Sequence, residues 1–273
     1  MPEFRRGPLS RSPLAVAAAA VLVAVTVAGC AATAAAGPAA TVTPATATAV
    51  TPAAYASLQE AFTTAIKEVL PSVVEIRTRS GLGSGVVFDS SGDIVTNAHV
   101  VGQSTSMQVI DSSSAEPLPA TLVGVYRPDD LAVIRVSDPS GLRPAGLRPA
   151  EFGNSADLVA GDIVLAIGNP LGLDSSVTEG IVSAVGRTVS EPASDGSAGT
   201  TLPGTIQTSA AINPGNSGGA LATLDGEVVG IPTLAAVSQA GGAAPGIGFA
   251  IPANIAVDIA RQLVSAGRVT NPG

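Results

Sequence analysis

Cysteine, histidine and tryptophan are almost missing from this chain: one Cys, one His and no Trp among 273 residues. A lone cysteine has no partner within the chain, so no internal disulfide can hold the fold. Stability has to come from a hydrophobic core, which about 200 residues can supply. A lone histidine argues against a histidine-based metal centre. Neither paired-cysteine zinc spacing, nor a His-Glu-x-x-His helix, nor a Gly-x-x-x-x-Gly-Lys phosphate loop occurs. No metal and no cofactor is therefore expected. Charge is sparse, at 12% of residues, and acids outnumber bases 21 to 13 for a formal net charge of −8. Without residues 1–29, which hold three arginines and Glu3, 20 acidic and 10 basic residues are left, a net −10. Such a surface argues against nucleic acid or anionic lipid headgroups as partners.

What is present begins with an export pattern. Arg5, Arg6 and Arg11 precede 15 apolar or small residues, Leu14 to Ala28, which is the layout of a secretory signal and short for a membrane span. The run ends in Val27-Ala28-Gly29-Cys30, which resembles the lipobox of bacterial lipoproteins, with Cys30 as the lipidated residue. The alternatives are a plain signal peptide, or an uncleaved anchor extended through Ala31 to Ala36. Gly37 to Pro52 is an alanine, threonine and proline tract with no hydrophobic periodicity, the composition of a flexible tether.

Beyond the tether the chain reads mostly as strands. Ser57-Leu58-Gln59-Glu60 has capping-box spacing, and Leu58, Phe62, Ile66 and Val69 recur at helical intervals until Pro71 stops the run. Short apolar runs then alternate with turn residues at 72–77, 84–88, 94–97, 107–110, 120–126 and 131–136. A second set lies at 163–167, 176–185, 205–208, 220–221, 227–234 and 248–250. Many short strands with glycine-rich turns predict an all-β sandwich or a pair of barrels. Between the sets stands a tandem duplication, Gly141-Leu142-Arg143-Pro144-Ala145 and Gly146-Leu147-Arg148-Pro149-Ala150, whose prolines suit a connection between the two halves. Ile255, Ile259, Leu263 and Val264 form one face of a closing helix with Gly267 as its stop, expected to lie on the second half.

Three residues invite a chemical reading. Ser217 sits in Gly215-Asn216-Ser217-Gly218-Gly219. Glycines there let the chain bend sharply and bring backbone N–H groups to one point, as an exposed nucleophile with an oxyanion hole requires; a glycine-serine turn has the same look. His99 follows the apolar run Ile94-Val95-Thr96-Asn97-Ala98, and a single histidine can equally be a surface or a satisfied core residue. Asp129 and Asp130 precede the aliphatic run Leu131-Ala132-Val133-Ile134, where an acid also commonly opens a strand. Together, the order His99, Asp130, Ser217 supplies what acyl transfer needs: a weak nucleophile, an imidazole to take its proton, and a carboxylate to fix the imidazole's tautomer.

Four blocks in this order resemble the HtrA/DegP family of trypsin-like serine proteases of the bacterial envelope: Thr96-Asn97-Ala98-His99-Val100-Val101, Asp130-Leu131-Ala132-Val133, Gly215-Asn216-Ser217-Gly218-Gly219 and Gly246-Ile247-Gly248-Phe249-Ala250-Ile251-Pro252. The resemblance covers about Leu70 to Gly267. It implies two six-stranded antiparallel β-barrels, at 70–152 and 153–252, with flanking N- and C-terminal helices and the active site in the cleft between them. The expected division is a signal peptide at 1–29, a lipid-anchor and linker segment at 30–56, and a protease domain at 57–273. In the implied mechanism Ser217 attacks the scissile carbonyl, His99 is general base and then general acid, and Asp130 orients the imidazole. Asp130 is preferred to Asp129 because the family's acid directly precedes the aliphatic strand. Gly215, Asn216 and Ser217 form the oxyanion loop, with the N–H groups of Gly215 and Ser217 as donors. Thr233, Leu234 and Ala235 lie beside an extended substrate. Ile212, Ile247, Gly248 and Phe249 line the primary pocket, where the lack of charge suits small or medium aliphatic side chains.

The implied role is protein quality control and stress response in the cell envelope, on unfolded polypeptides, anchored to a membrane and open to assembly as a homotrimer. Two features depart from the family pattern: Ser209 stands where relatives commonly have an acid, and Pro232 where a hydrogen-bonding residue is frequent. A PDZ domain, usual in the family after the closing helix, is not visible before Asn271-Pro272-Gly273. Two rival functions are a noncatalytic holdase or interaction module on the same fold, and a secreted protease of narrow specificity.

Overall fold

The computed structural model describes residues 52–79, 81–111, 114–136, 148–169, 176–191, 200–213, 215–237 and 243–272. A compact unit runs from Val50 to Gly273. The signal-like run 14–28, Cys30, most of the tether and residues 141–147 of the duplication lie outside the described residues. Among the described residues no helix is long and apolar enough to cross a membrane.

Helix α1 spans Pro52–Val69. A proline suits the first turn of a helix because its missing N–H would have had no partner there. The expected cap is thereby corrected: Ser57 and Glu60 are exposed positions inside α1, and the capping-box spacing marks no boundary. Pro71 does end the helix, as a 3-10 turn, Leu70–Ser72, follows directly.

The first barrel comprises β1 (Val73–Arg77), β2 (Leu82–Val87), β3 (Asp93–Asn97), β4 (Ser106–Asp111), β5 (Ser114–Tyr126) and β6 (Leu131–Val136), closed in the order β1-β2-β3-β6-β5-β4. The second comprises β7 (Ile163–Gly168), β8 (Ser176–Glu191), β9 (Thr200–Thr208), β10 (Ala220–Thr223), β11 (Val228–Val237) and β12 (Ala243–Pro252), closed as β10-β11-β12-β9-β8-β7. Every neighbouring pair is antiparallel. All twelve expected strands are found, and several run longer than their apolar cores.

Strand alternation explains why there are three cores and not two. Along β1, Val74 and Ile76 point into the first barrel and join Ile94, Val109 and Ile134, while Val73 points the other way. That outward face meets Leu165, Ile167, Ala220 and Ile231 of the second barrel in a shared seam, and the second barrel keeps its own interior of Val164, Val182, Ile206 and Leu221. Both faces of these strands are buried, so their sequences read as near-continuous aliphatic runs. Two of the buried acids in the first barrel, Asp93 and Glu75, each pair with an arginine. Asp93 takes two 2.7 Å hydrogen bonds from Arg135, its cross-strand partner, and the carboxylate holds that guanidinium's pKa above its ordinary value. Glu75 accepts from Arg77 on the same strand.

Helix α3 (Ala253–Ala266) ends at Gly267, whose left-handed φ of 67° lets its N–H return to the Leu263 carbonyl. Its buried stripe is Ala256, Ile259, Ala260 and Leu263. The expectation that it lies on the second barrel needs correction. α3 packs on β5 and β6 of the first barrel as well as on β11 and β12, and a Cβ at Gly124 in β5 would stand 2.8 Å from Leu263 Cδ2. The closing helix therefore straps both barrels together.

Candidate active site

Each barrel delivers part of the site to the seam. Strand β3 stops at Asn97, and the single helical turn α2 (Ala98–Val101) follows, ended by Gly102 at φ 57°. Ala98, Val100 and Val101 are buried and anchor this turn, which leaves His99 facing outward with 46% of its side chain exposed. Asp130 follows a second short turn, Arg127–Asp129, and directly precedes β6. It is the one non-glycine residue with positive φ among the described residues, at φ 50° and ψ 42°. Aspartate tolerates this left-handed conformation better than most residues. The conformation is fixed from outside, because the Asp130 carbonyl accepts from Ala98 N at 3.0 Å and from Asn97 Nδ2 at 3.1 Å.

The buried Asp130 carboxylate is engaged at both oxygens. Oδ1 accepts the His99 backbone N–H at 2.9 Å. Oδ2 pairs with His99 Nδ1 at 2.7 Å and accepts the Thr233 hydroxyl at 2.6 Å. An ionised carboxylate only accepts, so the proton of the imidazole is held on Nδ1 and Nε2 becomes the basic nitrogen. Asp129, by contrast, lies in the turn itself, half-buried, and desolvation pushes its pKa above the usual carboxylate value. Of the two neighbouring acids, the structure brings Asp130 to the imidazole.

Ser217 belongs to the second barrel, on the loop between β9 and β10. Its loop is braced from within by Asn216, which is 2% exposed. Asn216 Oδ1 accepts from Asn213 N at 3.0 Å, Nδ2 donates to Ala211 O at 3.0 Å, and its own N–H donates to Asn213 O at 3.2 Å. Asn216 thus turns its hydrogen-bonding groups inward, while the N–H groups of Gly215 and Ser217, on either side, donate to no described residue. Two glycines make this loop shape accessible. Gly215 has φ 114° and Gly218 φ 81°, and at Gly218 a Cβ would stand 2.3 Å from Ser84 O and 2.4 Å from Thr96 Oγ1. The Ser217 hydroxyl, half-buried, donates to Thr233 O at 3.4 Å.

Of the expected substrate-side residues, Thr233, Leu234 and Ala235 lie on β11, Ile247, Gly248 and Phe249 on β12, and Ile212 on the loop after β9. Leu234 is registered opposite Phe249 and Ala235 opposite Gly248, after an irregularity at Pro232 to Leu234. Ile212 and Phe249 are buried, Ile247 is exposed, and Gly248 has room only for hydrogen, since a Cβ there would lie 2.4 Å from Ile212 Cγ1. The side chains of Leu234 and Ala235, and Cys30 entirely, are outside what the structure describes. Sequence reasoning placed Thr233 beside the substrate and missed its hydroxyl, whose partner is 103 residues away. It missed Ser84 altogether. Threonine and serine inside apolar strands carry no local signal of so distant a partner.

Residues 83–231 match the trypsin-like peptidase domain. The chain is 46% identical over 200 residues to the serine protease Do-like HtrA of Bacillus subtilis, covering 71% of this chain and 42% of that protein. It is 42% identical over 221 residues to the serine protease PepD of Mycobacterium tuberculosis, covering 75% and 46%. Among solved structures, the HtrA-type protease AlgW with tripeptide superposes with a TM-score of 0.64 at 36% identity, covering 76% of this chain and 65% of that one. The chain spans less than half the length of the curated relatives it matches. With the matched domain covering more than half of its residues and both barrels closed as that fold requires, this chain belongs to the trypsin-like peptidases, among the HtrA/DegP-type serine proteases.

Proposed function

We propose that the chain is a serine endopeptidase in which Ser217, His99 and Asp130 form the catalytic triad. The observation that carries this reading is the carboxylate of Asp130, held by three hydrogen bonds and aligned on His99 Nδ1 at 2.7 Å. Ser217 Oγ attacks the peptide carbonyl carbon and gives its proton to His99 Nε2. The resulting oxyanion accepts from the N–H groups of Gly215 and Ser217. The C–N bond then breaks as His99 returns the proton to the leaving amine, and water repeats the sequence to release the acyl group and restore Ser217. Asp130 keeps the imidazole in the tautomer that can accept, and stabilises it once charged. Thr233 to Ala235 offer a strand edge beside an extended substrate. Ile212, Ile247 and Phe249 give an uncharged primary pocket, which suits small or medium aliphatic side chains.

The reading extends to unfolded polypeptides as substrates, in quality control outside the cytoplasm, with residues 1–29 as export signal, Cys30 as lipid attachment and the segment from there to the start of α1 as tether. The basic and apolar pattern before Cys30 supports export, and one relative is named a periplasmic serine endoprotease, DegQ of Escherichia coli. Assembly as a homotrimer belongs to the same proposal and is supported by Tyr55, Leu58 and Ile181, exposed apolar side chains on α1 and β8.

Ser217→Ala tests the chemistry. Casein cleavage should fall by about 10⁴ to 10⁶ in turnover with the thermal midpoint unchanged. Cleavage above about a hundredth of wild type, in clean preparations, removes Ser217 from the role. A fluorophosphonate should label the wild type at Ser217 and leave Ser217→Ala unlabelled; an unlabelled wild type would favour the holdase. For the anchor, Cys30→Ser should abolish incorporation of labelled fatty acid without altering activity. A wild-type protein that carries no label and partitions wholly into the medium rules the lipoprotein out.

A further inference from the structure

Ser84, on β2 of the first barrel, touches the nucleophile loop of the second barrel at two points. Its backbone N–H donates to Ser217 O at 2.9 Å, and its hydroxyl donates to Gly215 O at 2.6 Å. The hydroxyl also accepts, at 2.8 Å, from the backbone N–H of Asn169 at the end of β7. Polarity in this chain of bonds is forced. An amide nitrogen can only donate and a carbonyl can only accept, so the Ser84 proton has one place to go, the Gly215 carbonyl. Ser84 is fully buried, and its own carbonyl accepts from Thr96 Oγ1 at 2.7 Å, so the side chain has no competing solvent and its backbone is fixed.

The geometry points to Ser84 as the positioning residue of the oxyanion hole, acting on the proposed reaction through the loop and never through substrate. Its two bonds take the carbonyls of Gly215 and Ser217, the residues whose N–H groups are the proposed donors. Those bonds fix the peptide planes 215–216 and 217–218, whose own N–H groups, of Asn216 and Gly218, donate to Asn213 O and Pro232 O, so the plane between them, which carries the Ser217 N–H, is held at both ends. Glycine at 215 makes the restraint necessary. Glycine has wide conformational freedom at φ 114°, and with its carbonyl released the turn at Gly215 could relax and shift both its own N–H and the following 216–217 peptide that carries the Ser217 N–H. On the opposite side the loop has no slack: a Cβ at Gly168 would stand 2.5 Å from Asn216 Cα, so the end of β7 already touches the loop backbone. The loop is held between β2 and β7, and the Ser84 hydroxyl is the hydrogen-bonded link between both strands and it.

This inference rests on the serine endopeptidase reading, and its test separates the two. Ser84→Ala removes only the hydroxyl from a site that accommodates the remaining methyl group. The variant should lose about ten- to a hundredfold in kcat on a fluorogenic peptide, with KM within about twofold, because the interaction it weakens exists only once charge develops on the substrate oxygen. A peptide aldehyde, which binds Ser217 as a tetrahedral oxyanion mimic, should lose affinity in parallel with kcat/KM. A product peptide, which does not use the hole, should bind as in wild type. A purely structural Ser84 would lower the thermal midpoint and the active fraction without changing kcat per titrated site or aldehyde affinity, and that result overturns the inference. So does a kcat within twofold of wild type. If Ser84→Ala does not fold, Ser84→Cys, with its weaker donor, must show the same kcat and aldehyde pattern at smaller size or the inference falls. A wild type that hydrolyses nothing and takes no fluorophosphonate fails the endopeptidase reading itself, and the role of Ser84 with it.

Discussion

Asp130→Asn is a sharp probe of the site because the substitution leaves the backbone alone. Position 130 is held at φ 50°, where asparagine is among the few side chains that sit comfortably, whereas alanine would add local strain to any chemical effect. Asparagine is also nearly isosteric, so the buried volume is kept. What changes is the direction of one hydrogen bond. The amide has one accepting oxygen and one donating nitrogen, and the His99 N–H, His99 Nδ1 and Thr233 Oγ1 all call on the wild-type carboxylate at 2.6–2.9 Å. With oxygen kept towards the His99 backbone, the NH₂ faces Nδ1 and drives the imidazole proton to Nε2, where it can no longer accept from Ser217. With the amide reversed, a donor faces the His99 backbone N–H and that contact becomes repulsive. The expected loss is about 10⁴ in kcat, equivalent to about 5 kcal/mol of transition-state stabilisation. Asp129→Asn, in the adjoining turn, should cost less than about threefold, below half a tenfold step. Initial rates per fluorophosphonate-titrated site, with calorimetric midpoints for both variants, make the comparison. Equal impairment at 129 and 130, or an Asp130→Asn enzyme keeping a tenth of its turnover, refutes the assignment of the acid.

Asp129→Asn carries a second expectation in pH. The folded pKa of Asp129 is raised, so the folded state favours the protonated acid; its stability contribution is full below the ordinary carboxylate range and is lost as pH rises through the folded value. The variant should therefore gain on wild type in urea midpoint at pH 7 and converge with it near pH 3, and a gain that grows on acidification would contradict the sign. Gly218→Ala should destabilise the fold by about 2–6 kcal/mol, since the methyl group meets Ser84 O and Thr96 Oγ1 well inside contact distance at a φ of 81°. Urea unfolding of a variant with wild-type midpoint would show that the loop sits further from β2.

Much of this was legible in the sequence, for reasons that differ by element. The strands announce themselves because three cores bury both faces of β1, β3, β6 and β7, leaving unbroken aliphatic runs such as Leu131-Ala132-Val133-Ile134. Their ends were harder to read. Strand β8 continues to Glu191 through Gly186, whose φ of 72° reads locally as a turn, and β9 begins at Thr200 ahead of Pro203 and Gly204, both of which argue against strand in isolation. Pairing between those two strands, through repeated register shifts, overrides the local preference. The α1 boundary was misread because a polar spacing on an exposed helix face looks the same as a cap. At the candidate site, His99, Asp130 and Ser217 stand out by chemical type and order, and the structure places His99 and Asp130 in contact. Ser84 does not stand out, nor does the bond of Thr233 to Asp130, since their partners lie 85 to 131 residues away and only the seam between the barrels brings them close.

That seam gives the molecule a conditional chemistry. The imidazole and its acid come from the half of the chain made first, and the serine and the Thr233 hydroxyl come from the half made second. A chain that has closed only the first barrel has the histidine and aspartate of the proposed triad and no serine to activate. The Thr233–Asp130 bond and the Ser84 bonds to the serine loop all cross between the barrels, so they exist only once the second barrel is in place. In the proposed triad cutting therefore requires both barrels, and a half-made copy lacks the serine that would do it.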